Sequence, residues 1–142
     1  MNTIKVKKLH PEAIVPKYIH LGDAGMDLYS NEEIILTPRE RTLISTGISM
    51  AIPTGHVGLI WDRSGLAAKN GLTTLGGVID ETYRGEIKVV IYNSSDVPFT
   101  IEKGMRVAQM LIQQADQKQI VEVEELDETI RGDGSFGSSG LK

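Results

Sequence analysis

A chain of 142 residues, 40% of them hydrophobic, is long enough to bury one sizeable core and too short to need a second domain. Its formal net charge of -4 argues against a general nucleic-acid binder, and the lack of cysteine excludes disulfides, thiolate metal sites and a thiol nucleophile while suiting a reducing cytoplasm. His10, His20 and His56 are too widely spaced for a zinc motif, and no apolar run approaches the roughly 18 residues of a membrane span, so neither nucleic acid nor membrane is expected as a partner.

Ile4 and Val6, alternating with Lys5, Lys7 and Lys8, predict a first strand with a basic outer face, the pattern of a protected sheet edge. Pro11 and Pro16 interrupt it. In DAGMDLYS, residues 23–30, Gly25 allows close backbone approach, and Met26, Leu28 and Tyr29 open a strand. Asp27 lies between apolar neighbours and needs a partner, because a buried, unpaired carboxylate is strongly destabilising. A local turn amide or a ligand would each serve. Ile34–Leu36, 41–44, 47–52 and His56–Trp61 predict short strands separated by turns, the pattern of a β-sandwich, jelly roll or barrel.

RSGLAAKNG, residues 63–71, is the exception: a very short helix with Ser64 as N-cap and Gly71 as left-handed C-cap. Its amide-rich start beside Arg63 suits an anion, although a plain cap and a surface ion pair also account for these residues. Residues 76–93 read as a β-hairpin, with Val78 and Ile79 in one arm and Ile87, Val89 and Ile91 alternating in the other. Its corner carries Asp80, Glu81, Tyr83 and Arg84, far more chemistry than a bend requires, so it is either a decorated surface loop or a site. Phe99–Ile101 and 105–112 predict two more strands, the second with one odd polar residue, Gln109, which either satisfies a neighbouring backbone group or reaches a ligand. Residues 120–123 predict a last strand. The tail RGDGSFGSSGLK cannot build a core, yet Arg131 and Phe136 stand out in it. Its G-x-G-x-x-G spacing lacks the strand-to-helix context of a dinucleotide site.

The string GVIDETYRGE resembles the third of five motifs of the trimeric dUTPases, usually written G-[VLI]-I-D-x-x-Y-R/Q-G. The other four follow in family order. AGMDL resembles A-G-x-D-L, RSGLA resembles P-R-S-G-[LM]-A, RVAQ resembles R-[IV]-A-Q, and the tail resembles R-G-x-G-G-F-G-[ST]-[ST]-G. The resemblance implies an all-β, jelly-roll-like distorted β-barrel subunit with one very short helix, forming a homotrimer with sites at subunit interfaces. It implies a catalytic domain over residues 1–130 and a flexible C-terminal lid over 131–142. The nearest alternative on a related fold is a dCTP deaminase.

The implied reaction is Mg²⁺-assisted attack of water at the α-phosphorus of dUTP, giving dUMP and pyrophosphate. This activity limits uracil incorporation into DNA and supplies dUMP for thymidylate synthesis. By the same resemblance, Asp80 activates the water and Asp27 holds Mg²⁺ through water. Arg63, Ser64, Gly65, Gln109 and Arg131 bind substrate around the phosphates. Gly76, Gly77, Val78 and Ile79 surround the uracil, Tyr83 lies under the deoxyribose, and Phe136 stacks over the base with Gly137 and Ser138 beside it. The chain departs from the motifs at Asp62, where proline is usual, at Ser135, which replaces a glycine, and at Ser139, which stands for the commoner threonine. Asp62 places an acid next to the implied phosphate site, so it must turn away, pair with a cation or alter metal binding.

Overall fold

The computed structural model describes residues 3–142. The first half of the chain runs β1 (Lys5–Lys8), β2 (Met26–Tyr29), β3 (Ile34–Leu36), β4 (Arg41–Ala51), β5 (His56–Trp61) and α1 (Ser64–Asn70). It continues through β6 (Leu72–Leu75), β7 (Val78–Ile79), β8 (Glu86–Asn93), β9 (Phe99–Ile101) and β10 (Arg106–Gln114). No helix among the described residues is long and apolar enough to cross a membrane.

All pairings between these strands are antiparallel, in two four-stranded sheets ordered β1-β4-β8-β6 and β2-β10-β5-β7, with β3 and β9 forming a small ribbon. The sheets stay separate in hydrogen bonding and share one core, a jelly-roll-like arrangement rather than a closed barrel. Period-two alternation builds that core, because successive strand residues point to opposite faces. Ile87, Val89 and Ile91 of β8 are buried with Ile44, Ile48 and Met50 of β4, and they meet Met26 and Leu28 of β2, Ile60 of β5 and Met110 of β10.

Three expectations from the sequence need correcting. Residues 41–44 and 47–52 are not two strands: β4 is one strand of 11 residues whose pairing with β8 shifts between Ser45 and Ser49. The 76–93 stretch is not a simple hairpin. β8 pairs with β6, while Val78 and Ile79 leave that sheet to pair with Leu59 and Gly58 of β5, so the corner crosses from one sheet to the other. Residues 120–123 form no strand, and Ile120, Val121 and Val123 are exposed. Among the described residues this apolar stretch pairs with no strand, and a strand without a partner leaves its backbone groups unpaired.

The shift in β4 centres on Gly47, at φ 68°, where Glu86 supplies what the ladder lacks. The Glu86 carboxylate accepts the Gly47 N–H at 3.0 Å and the Ser45 hydroxyl. A methyl group at Gly47 would sit 2.9 Å from Asn31 Cγ and 3.0 Å from Ala13 Cβ, in a backbone conformation that side chains rarely adopt. Gly47→Ala is therefore expected to lower unfolding free energy by about 1–3 kcal/mol in denaturant titration. Unchanged stability would show that the irregularity tolerates an ordinary residue.

Candidate functional site

Strand register assembles the first half of the site. β10 lies between β2 and β5, and Gln109 is paired with Asp27 on one side and Trp61 on the other. Residues opposite one another in a ladder share a sheet face, so Gln109 and Asp27 stand together, and α1 begins three residues beyond Trp61. Asp27, Arg63, Ser64, Gly65, Arg106 and Gln109 thereby line one cleft of about 480 Å³. Asp27, Arg63, Ser64, Gly65 and Gln109, distant in sequence, thus stand in one cleft.

Asp27 is 8% exposed, and the partner it needed turns out to be double. Arg63 Nε lies 3.4 Å from one carboxylate oxygen and Arg106 Nη1 lies 3.3 Å from the other. Arg106 was not singled out in the sequence, although it belongs to the same RVAQ string as Gln109. Lys69, which lines the cleft from α1, was also missed. The helix start differs from expectation too. Arg63 occupies the N-cap with extended backbone and makes no side-chain cap bond, and Ser64 is the first helical residue. Gly71 ends the helix at φ 67° as expected, donating its N–H to Ala67 O at 3.1 Å.

Gln109 Nε2 donates to the Asp62 carbonyl at 2.8 Å, satisfying a backbone group as one reading allowed. A primary amide has a second N–H, and among the described residues nothing takes it. Asp62 itself turns away from the cleft. Its Oδ1 accepts the Thr74 N–H at 2.6 Å and the Thr74 hydroxyl at 2.7 Å, and its Oδ2 accepts the Thr73 hydroxyl at 2.7 Å. Burial alone would push the Asp62 carboxyl up, but the Thr74 amide and the two hydroxyls outweigh it and hold it below the ordinary carboxylate value.

The second half lies around the corner. Asp80 is exposed and lines a recess of about 190 Å³ with Val78, Ile79, Tyr83, Glu86 and Lys88. The Tyr83 hydroxyl donates to Glu86 O at 2.9 Å, and its ring lies so close to Gly85 that a Cβ there would be 2.6 Å from Tyr83 Cζ. Arg84 folds back on the loop, donating to the carbonyls of Glu81 at 2.6 Å and Tyr83 at 2.8 Å. A neighbouring recess of about 260 Å³ is bounded by Asp62, Thr74, Gly76, Gly77 and Val78. Gly77, at φ 93°, runs against Ile60, where a Cβ would meet the Ile60 carbonyl oxygen at 2.9 Å.

These recesses share no lining residue with the cleft that holds Asp27, Arg63 and Gln109. Arg131, Phe136, Gly137 and Ser138 join neither half. Phe136 is fully exposed at φ 39°, and Arg131 Nε donates to Gly134 O at 2.8 Å within the tail. Among the described residues no three His, Cys, Asp or Glu side chains gather into a metal cage.

Jelly-roll-like sheets thus carry a cleft lined by Arg63, Arg106 and Lys69 and, apart from it, a recess lined by Gly76 and Gly77. Comparison with known proteins supplies the assignment: a dUTPase family model matches residues 11–140, and the chain belongs to the dUTPase family. The deoxyuridine 5'-triphosphate nucleotidohydrolase of Clostridium kluyveri is 51% identical over 137 residues, covering 95% of this chain and 96% of that protein. Among solved structures, a mutant of the Staphylococcus bacteriophage 80alpha dUTPase with dUpNHpp superposes with a TM-score of 0.93 at 34% identity, covering 99% of this chain and 100% of that one. A mutant dUTPase from phage phi11 of S. aureus, described for its coordination of a structural Mg(II) ion, gives 0.84 at 29% identity, covering 89% of this chain and 100% of that one.

The Asp62 carboxyl has a testable consequence for stability. Its folded-state pKa lies below its unfolded one, so its contribution is present above about pH 4 and is lost as pH falls through the folded value. Asp62→Asn should therefore lower stability at neutral pH and flatten the acid limb of a denaturant-midpoint profile below about pH 4. An acid limb as steep as that of the unaltered protein would mean that the Thr73 and Thr74 bonds do not favour the charged form.

Proposed function

We propose that the protein hydrolyses dUTP to dUMP and pyrophosphate, with Asp80 activating a water molecule that attacks the α-phosphorus. The observation that carries this reading is the juxtaposition in the cleft of Arg63, Ser64, Gly65 and Gln109, with one Gln109 N–H left over, in a chain of the dUTPase family. The triphosphate lies along this cleft. Arg63, Arg106 and Lys69 offset its charge, and alignment of a preformed electrostatic surface with the phosphates accounts for much of the acceleration. Asp80 takes the proton from water as the water oxygen bonds to phosphorus, and the bond from phosphorus to the bridging oxygen breaks to release pyrophosphate.

The donor set fits Mg²⁺. Among the described residues there is no cage of three acidic or histidine side chains, so Asp27 would hold the ion through water, with phosphates and water as its further oxygen donors. When bound, the ion supplies positive charge to the phosphate chain.

Uracil presents an acceptor, a donor and an acceptor to the backbone between Gly76 and Ile79. Cytosine inverts part of that order and leaves buried groups unpaired, at about 1–3 kcal/mol each. Tyr83, fixed by its bond to Glu86 O and by Gly85, forms the floor under the deoxyribose and opposes an added hydroxyl.

The site is completed in a homotrimer, where the corner of one copy faces the cleft of another. Two observations support assembly. Leu43, Val90 and Leu75 lie abreast across β4, β8 and β6, with Leu43 and Leu75 exposed. Ile120, Val121, Val123, Leu126 and Ile130 are exposed along the arm that follows β10. Contiguous exposed apolar surface of this kind marks interaction sites. The reading divides the chain into a catalytic domain, residues 1–130, and a lid, residues 131–142, in which Arg131 reaches the phosphates and Phe136, Gly137 and Ser138 cover the base. Its place is the cytoplasm, whose reducing conditions suit a chain without cysteine.

Pyrophosphate release measured across the common nucleoside triphosphates, with and without Mg²⁺, tests the reaction. Turnover confined to dUTP and lost on metal removal is expected; ammonia from dCTP would refute it. Asp80→Asn should retain affinity for dUpNHpp and lose at least about 100-fold in kcat, the scale of general-base catalysis. Turnover near that of the unaltered protein would remove Asp80 from this role. A chain ending at Ile130 should keep its melting temperature and lose most of its turnover; if it unfolds instead, the tail is structural rather than a lid.

A further inference from the structure

We propose that Asp62 is a positioning residue for Gln109: its side chain, clasped from β6, fixes the backbone carbonyl that holds the Gln109 amide ready for a phosphate. The inference rests on the reading of Gln109 as a phosphate ligand. Three donors from Thr73 and Thr74 grip the Asp62 carboxylate, at 2.6–2.7 Å. They tie the short segment between β5 and α1 to the neighbouring β6. Without that grip the Asp62 side chain makes no bond to β6, and the segment keeps only its ends in β5 and α1, the Asp62 carbonyl's bond from Gln109 and the Arg63 ion pair with Asp27.

The carbonyl of Asp62 is the one acceptor for Gln109 Nε2 among the described residues. Gln109 also packs against Gly25, where a Cβ would meet Gln109 Oε1 and lie 3.1 Å from both its Cβ and its Cδ. Gln109 is thus confined between the Gly25 backbone and the Asp62 carbonyl, with its second N–H uncommitted. A long amide side chain ordered before the ligand arrives loses less rotamer freedom on binding than one that must be ordered by the ligand. Asp62 also borders the recess lined by Gly76 and Gly77, so the same clasp joins the phosphate cleft to the strand that leads into the corner.

The structure also settles the sign of the charge effect. An acid beside the phosphate cleft would repel a triphosphate if its carboxylate faced it, but this carboxylate faces β6 and the residue presents a carbonyl inward to Gln109 instead.

A double-mutant cycle on the full chain tests the proposal. The dissociation constant of dUpNHpp with Mg²⁺ is measured by calorimetry for Asp62→Ala, Gln109→Ala and the double variant. Each single change is expected to weaken binding by about fivefold, the order of one preorganised polar contact, and the double variant should bind no more weakly than Gln109→Ala alone. Asp62→Asn, which keeps an acceptor for the Thr74 amide, should stay within about twofold of the unaltered protein. A purely structural role for Asp62 would weaken binding equally in the Gln109→Ala background, and such additivity overturns the proposal. If Gln109→Ala alone leaves affinity unchanged, the phosphate role of Gln109 fails and the proposal falls with it, a result distinguishable from an additive cycle. Should Asp62→Ala fail to fold, the same cycle run with Thr74→Val decides between these outcomes.

Discussion

The register of β10 between β2 and β5 is the constraint on which the cleft depends. Met110 is paired with Met26 and Ile60, and Ala108 with Leu28, and all of these are buried in the core. Alternation then leaves Gln109 and Asp27 on the other face. A slip of β10 by one residue would turn its Gln109 into the apolar core and its Met110 into the cleft. The penalty for burying that amide without partners makes the slipped pairing uncompetitive. Core packing therefore determines where the polar groups stand, and the site inherits its geometry from residues that never touch a ligand.

That geometry explains how an acidic protein can hold a polyanion. The net charge of -4 acts over the whole surface and is screened within about 8–10 Å at physiological ionic strength. Inside the cleft the nearer charges are Arg63, Arg106 and Lys69 against Asp23 and Asp27, a balance of one positive charge. Asp27 gathers Arg63 and Arg106 to one point at 3.3–3.4 Å. A single buried carboxylate thus serves two ends: without it, two guanidinium groups would repel one another across the cleft, and with it they form a ready cationic pair.

Much of this was legible in the sequence because it depends on neighbours along the chain. The alternation of Ile87, Val89 and Ile91, the short helix ending at Gly71, and the demand for a partner at Asp27 are local signals, and each appears in the structure. What could not be read depends on groups far apart in sequence. Gly47 looks like a strand break until Glu86 is placed beside it to accept its N–H. Val78 and Ile79 look like a hairpin arm because nothing local says that the edge of β5 is a nearer partner. The direction of Asp62 depends on Thr73 and Thr74, 11 and 12 residues further on. The apolar alternation at residues 120–123 is real, but a strand also requires a facing edge, and among the described residues it pairs with none.

The same distinction bears on why the two halves of the site stand apart. Asp80 lies where the chain crosses from one sheet to the other, and the crossing fixes it on the side of β7 and β8, away from the cleft formed by β2, β10 and α1. Strand order places β5 between β10 and β7, so the strand leading to Asp80 does not border the strand that carries Gln109. Under the proposed function, the acid at the corner and a phosphate in the cleft would meet through different copies of the chain. The exposed apolar row on the outer face of β4, β8 and β6 is the surface on which such copies would meet. On that proposal catalysis and assembly are one requirement, since a single chain gathers Asp27, Arg63 and Gln109 in one cleft and holds Asp80 in another recess.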